Sequence, residues 1–268
     1  MSRLRKMISD CVNLQKYPIL EPRSVEYQKL VQASQSELRE TGLCVLEGFI
    51  QPAALELMRD QAAHSESKAF YSTVIGNAYL RGKSPELPGD HAMNLEDHTT
   101  LGVVAYDQIL EQEVIRQVYD SPEFLRYIGD ATGRGPIHYY DCPMGKVNYS
   151  MMRNGDYLRW HFDQSDFVVS IPVTLPESGG VYEYVYNLRS SENENYDEVK
   201  RVLQGDRSRV KELDTPAGSL VLFEGRHTIH RVTPIQGDTV RVMALLGFAD
   251  KPGVTSTEYL RKIRYGRV

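Results

Sequence analysis

The chain has 268 residues, 41% of them hydrophobic and 25% charged, which is enough to bury a sizeable core in one large domain. Its net charge of −5 argues against the basic surface that nucleic acid demands and suits a small polar substrate better than a polyanion. No run of about 18 apolar residues is present to span a membrane. The N-terminal "MSRLRKMISDCVNLQKYP" lacks the apolar segment of a signal peptide, and Cys11, Cys44 and Cys142 are too scattered for a disulfide framework or zinc pair, so a reducing cytoplasm is the expected compartment.

Residues 1–24, with Pro18 and Pro22, read as an arm packed on the surface. "VEYQKLVQASQSELRET" (25–41) places Tyr27, Leu30, Val31 and Leu38 on one helical face, and Gly42 is a helix stop. "LCVLEGFI" (43–50) reads as a strand entering a turn, with Pro52 as the first residue of the next helix. Residues 65–107 contain several glycines and prolines and read as a long, partly ordered lid with one strand near "FYSTVIGNAYL". Asn77, Tyr79 and Arg81 are its candidate substrate contacts. His91, Asp97 and His98 resemble a second metal set but lack strand periodicity, so they are assigned to the surface. "LEQEVIRQVY" (110–119) and "SPEFLRYIGDATG" (121–133) are helical, the second capped by Ser121 ahead of Pro122.

From about residue 136 the texture changes. Short β-rich runs alternate with turns, as in "KVNYSMM", "FVVSIPVTL", "VYEYVYN", "GSLVLFE", "IHRVTPI" and "VRVMALLGF", and this spacing predicts a β-sandwich or small barrel. One helical insertion, 193–206, interrupts it. No flexible linker divides the chain. The reading is one α+β domain over 1–268: mainly helical support and lid to 135, a catalytic β-core over 136–250, and a C-terminal segment over 251–268.

Within that core, "RWHFD" puts His161 and Asp163 two positions apart. Strand side chains alternate, so both project from one face while Trp160 and Phe162 face the other way. One imidazole and one carboxylate can then address a single point. A third ligand must come from another strand. His230, in "GRHTIHRVTPI", is preferred because a strand pattern follows it; His227 is the second candidate. Two histidines and one carboxylate on one side of a cation form the facial triad of non-haem iron(II) oxygenases. The open side then takes a bidentate 2-oxo acid and dioxygen. Arg241, on the strand after His230, is the natural partner for the far carboxylate of such an acid.

The segments "WHFD" and "PAGSLVLFEGRHTIHRVTPIQGDTVR" resemble the Fe(II)/2-oxoglutarate-dependent dioxygenase superfamily. "GGVYEYVYNLRSSENENYDEVKRVLQGD" resembles a subgroup of free-amino-acid hydroxylases and halogenases. The resemblance implies a double-stranded β-helix (jelly-roll, cupin-like) core supported by N-terminal helices. It implies Fe(II) held by His161, Asp163 and His230, and 2-oxoglutarate held by Arg241. In the halogenases of that subgroup a small residue replaces the carboxylate and chloride takes its place. Asp163 is present here, so the expectation is hydroxylation of a small polar metabolite, first a free amino acid or derivative. Desaturation or cyclisation would use the same site, and a non-redox metal-binding cupin is the rival from another class.

Other candidates follow from position. Asn148 and Tyr149 lie on a strand leading to the site, and alternation turns one of them inward toward the 2-oxo acid. Arg226 and Arg231 flank the ligand loop, either touching an acid or forming surface pairs. Glu183, in "GGVYEYV", either binds a substrate ammonium or belongs to a solvated strand face. Partners are a small-molecule substrate and dioxygen.

Overall fold

The computed structural model describes residues 8–268. Helix α1 covers Val25–Thr41. The Ser24 hydroxyl caps it by accepting from the Tyr27 N–H, and Gly42 ends it at φ 74°, a left-handed conformation natural to glycine. Strand β1 (Leu43–Leu46) and helix α2 (Pro52–Ser65) follow. The segment ahead of α1 is not a surface arm over its described part, 8–24: Ile8, Val12 and Ile19 are fully buried in the main core. Each such side chain contributes about 1.5–3 kcal/mol of burial.

The 65–107 region departs from expectation. It contains two strands rather than one, β2 (Phe70–Asn77) and β3 (Glu96–Val104), paired antiparallel as a long ribbon. Helix α3 (Val114–Tyr119) starts later than predicted, and α4 (Pro122–Thr132) is capped by Ser121. The remaining elements are β4 (His138–Tyr139), β5 (Val147–Met152), β6 (Leu158–His161), β7 (Val168–Thr174), β8 (Ser178–Gly179), β9 (Tyr182–Val185), α5 (Tyr196–Leu203), β10 (Lys211–Leu213), β11 (Leu220–Phe223), β12 (Ile229–Val232), β13 (Ile235–Gln236), β14 (Arg241–Leu246), β15 (Phe248–Ala249) and α6 (Glu258–Tyr265).

Two antiparallel sheets face each other. The larger has the order β1-β11-β7-β14-β5-β3-β2 and the smaller β10-β9-β12-β6. The large sheet therefore takes three strands from before residue 136. Its outer face packs on the helices: Tyr149, Met151, Ile171, Leu222 and Ala244 share one core with Tyr27, Ile115 and Phe124. Its inner face meets the small sheet, where Val221 and Phe223 pack with Tyr184, and Met152 with Val232. Val168, Ser170, Met243 and Leu245 also point inward by alternation, yet they are half-buried while their strand neighbours are buried. The space between the sheets is thus an open chamber. This is the jelly-roll core that the resemblance implied.

Candidate metal centre

Strands β6 and β12 are antiparallel neighbours, and His161 stands opposite His230 in their register. Their ring centroids are 4.1 Å apart. Asp163 lies just past the end of β6, and its N–H donates to the Gly225 carbonyl at 3.0 Å, which fixes the turn. Trp160 and Phe162 pack on the opposite side with Tyr79, Val199 and Ile229, as alternation requires.

One atom from each of His161, Asp163 and His230 lies within 4.8 Å of the other two. His161 Nε2 is 3.6 Å from Asp163 Oδ1, and His230 Nε2 is 3.5 Å from Asp163 Oδ2. The other ring nitrogens are committed: His161 Nδ1 bonds the Arg159 carbonyl at 2.9 Å and His230 Nδ1 the Thr228 carbonyl at 3.0 Å. A carbonyl only accepts, so each Nδ1 carries the proton and each Nε2 turns a lone pair to the shared point. Burial and the neighbouring His161 imidazole pull His230 down to about 4, so it is neutral at physiological pH. Burial pushes the Asp163 carboxyl up, but His230 and His161 beside it and Arg264 farther off outweigh that and hold it below the usual range. Asp163 Oδ2 is buried with no hydrogen-bond partner. Two imidazoles with Nε2 turned to one point, and a carboxylate with one oxygen buried and unpartnered, form a donor set that fits a divalent cation such as Fe(II). Nothing local in the sequence marks Gly225 as part of the centre. A Cβ there would lie 2.6 Å from Asp163 Cγ and nearer still to Oδ2.

Arg241 opens β14 opposite Met152 and is 6% exposed. Its one hydrogen bond among the described residues goes to Met152 Sδ at 3.7 Å. Burial pulls the guanidinium down to about 10, which still leaves it charged. A desolvated cation without a carboxylate calls for an anion from outside the chain. Tyr182 lies near both Arg241 and the triad. Its ring stacks on His230 with centroids 5.5 Å apart, and its buried hydroxyl has no partner. Alternation around Glu183 was the signal for Tyr182.

The other candidates lie elsewhere. Tyr149 faces the helices, because β5 turns positions 147, 149 and 151 outward into the main core. Asn148 faces inward but is saturated: its amide donates to the Met144 and Val147 carbonyls, and its Oδ1 accepts from the Tyr265 hydroxyl at 3.0 Å. Asn77 organises its own turn through the Arg81 and Met93 carbonyls. Tyr79 is buried behind the small sheet and donates to the Glu194 carbonyl, and Arg81 pairs with the Glu194 carboxylate at 3.1 Å. Glu183 points away from the chamber and is held by Arg207 and Arg231, so it is neither an ammonium site nor a solvated face. Arg226 bonds Asp166 and the Gln164 carbonyl, bracing the turn that carries Asp163. His227 stays outside the ligand cluster. His98 and Asp97 are exposed and bond Tyr157, while His91 packs against Tyr196 with the rings tilted at 55°.

The family profile described as Halogenase D matches residues 89–260, more than half of the chain. No curated protein matches it. Among solved structures, the non-heme alpha ketoglutarate dependent carbocyclase SnoK from nogalamycin biosynthesis is similar, with 16% identity over 82% of this chain and 83% of that one and a TM-score of 0.56. AviO1 from Streptomyces viridochromogenes Tue57 shares 14% identity over 84% of this chain and 97% of that one, with a TM-score of 0.54. The epimerase SnoN, solved with Fe3+, alpha ketoglutarate and nogalamycin RO, shares 13% identity over 83% and 84% with a TM-score of 0.55. At such identities the likeness speaks for the fold. The chain belongs to the Halogenase D family, built on the fold of the iron(II)- and 2-oxoglutarate-dependent oxygenases.

Proposed function

We propose that the protein is an Fe(II)- and 2-oxoglutarate-dependent hydroxylase of a small polar metabolite, a free amino acid or derivative. The observation that carries the choice of hydroxylation is Asp163. Its carboxylate stands between two Nε2 atoms with Oδ2 buried and unpartnered, and Gly225 leaves room for it. A carboxylate in that position occupies the corner a halide would need. Bound there with 2-oxoglutarate, ferrous iron would supply the oxidising power that replaces a substrate C–H by C–OH, with O2 consumed and succinate and CO2 released.

The chain's own residues have three tasks. His161, Asp163 and His230 would hold the cation, and the two carbonyl bonds to Nδ1 keep both imidazoles aimed. Arg241, with the Tyr182 hydroxyl beside it, receives the far carboxylate of the 2-oxo acid. The chamber walls seat the substrate and keep water from the reacting bond. A metal-binding cupin without redox chemistry has no need of a buried, carboxylate-free guanidinium at Arg241.

The test is a succinate-release screen of free amino acids and related metabolites with Fe(II), 2-oxoglutarate and O2, followed by mass spectrometry. A product heavier by one oxygen is expected, unchanged when chloride is added. A chlorinated product, or no dependence on 2-oxoglutarate, would refute the reading.

A further inference from the structure

The site described above uses one buried guanidinium, Arg241, yet the chain holds a second. Arg159 lies on β6 two residues before His161 and is 7% exposed. Its carbonyl fixes His161 Nδ1, so its backbone is part of the metal centre's frame. Its side chain runs to the β2–β3 ribbon. There Nη1 donates to the Val74 carbonyl at 3.1 Å and to Thr99 Oγ1 at 3.0 Å.

The other edge of the guanidinium is bare. Nε is buried without a partner, and Nη2 has no hydrogen bond among the described residues. Asp97 and Glu96 act on it only through space. Asp97 accepts from the Tyr157 hydroxyl at 2.6 Å, and Glu96 pairs with Lys83 at 2.7 Å. Nε and Nη2 form one of the two-donor edges with which a guanidinium grips a carboxylate. Gly76 faces this edge, and a Cβ there would sit 2.9 Å from Nη2. Only glycine at that strand position leaves the guanidinium room to lie this close to β2.

The ribbon face that Arg159 lies against continues to the chamber wall. Thr99 stands opposite Val74 in the ribbon, and Leu101, two residues on and on the same face, packs with Met152, Tyr182 and Val232. A reaction of two acids would need two cations, one for each. Arg241 sits with Tyr182 and Met152, while Arg159 lies along β6 against the ribbon.

We propose that Arg159 is the receptor for the substrate's carboxylate, so that the substrate is a small carboxylic acid such as an amino or hydroxy acid. This rests on the oxygenase reading and narrows it. The test loads the full chain with Ni(II) and 2-oxoglutarate under argon, which permits binding without turnover. The twenty protein amino acids and lactate are titrated as free acids and as carboxamides by calorimetry. At least one acid is expected to bind, with its carboxamide at least about tenfold weaker. Arg159→Gln should lose that discrimination and leave 2-oxoglutarate affinity within about threefold, while Arg159→Lys should retain part of it. Should Arg159→Gln fail to fold, the acid–amide comparison on the wild type and Arg159→Lys still decides. Equal binding of acid and amide would overturn the proposal. So would discrimination that survives in Arg159→Gln, a loss of 2-oxoglutarate affinity instead, or no acid bound by a chain that takes Ni(II) and 2-oxoglutarate. Failure of the wild type to take Ni(II) and 2-oxoglutarate would bring down the oxygenase reading itself.

Discussion

Gly225→Ala isolates the position of one ligand from its chemistry. The added Cβ would stand 2.6 Å from Asp163 Cγ and 2.9 Å from Asp163 Cβ. Carbon atoms in contact prefer about 3.5–4.0 Å, so the carboxylate must retreat by about 1 Å. Gly225 is absent from the positive-φ glycines, so alanine meets no backbone penalty there and the effect is steric. The turn can yield outward, because Gln164 and Ser165 behind Asp163 are exposed. Loss of a supporting position at a metal site lowers affinity by about 10–100-fold, or ~1.4–2.7 kcal/mol. A misplacement near 1 Å lowers turnover by about 100-fold. The assay is an anaerobic Fe(II) titration of wild type and variant, beside thermal melts of both metal-free proteins. Weakened Fe(II) binding with a near-unchanged melt is expected. A Gly225→Ala protein that binds Fe(II) like the wild type would refute the packing argument and with it the placement of Asp163.

Arg241→Ala should raise the 2-oxoglutarate requirement by about 100-fold and the substrate requirement far less, with Arg241→Lys intermediate; initial rates against each acid decide, and equal effects would remove its assigned role. Tyr265→Phe should lower stability by about 1 kcal/mol through the lost bond to Asn148, Asn148→Ala by more because it also strips the Met144 and Val147 carbonyls of their donor, and both should leave the 2-oxoglutarate requirement alone, which denaturant melts and kinetics check. Burial pushes Glu183 up, but Arg207 and Arg231 together hold its folded carboxyl below the usual range. Its stabilising contribution is therefore complete above the unfolded carboxylate's pKa and is lost as pH falls through the lower, folded one. Arg207 and Arg231 are partly exposed, so Glu183→Ala should cost about 1–3 kcal/mol at neutral pH and flatten that acid limb of the stability profile; an unchanged limb would contradict it.

Local rules carried some of this structure a long way. Ser24, the Tyr27–Leu38 spacing and Gly42 delimit α1 because caps and apolar period agree. The period of two groups His161 with Asp163 and turns Trp160 and Phe162 away; the structure brings His161, Asp163 and His230 together, although β6 ends at His161 and the turn bonded to Gly225 carries Asp163. Alternation also said that only one of Asn148 and Tyr149 faces inward, but not which, since that depends on which face of β5 meets the helices. Strand β3 was hidden because it begins with exposed Glu96, Asp97 and His98, polar on both faces where the ribbon stands clear of the core. The Glu183–Arg207–Arg231 cluster and the Gly225–Asp163 contact join residues more than twenty positions apart. No local pattern announces such pairings, and the sheet register creates them.

The most direct measurement is the Fe(II) stoichiometry of the full chain and of His161→Ala, Asp163→Ala and His230→Ala, each under argon with 2-oxoglutarate. The convergence of these three side chains predicts one ion per wild-type chain and a marked loss in every variant. Full stoichiometry and unchanged affinity in any of the three would contradict the metal centre on which the proposed function stands.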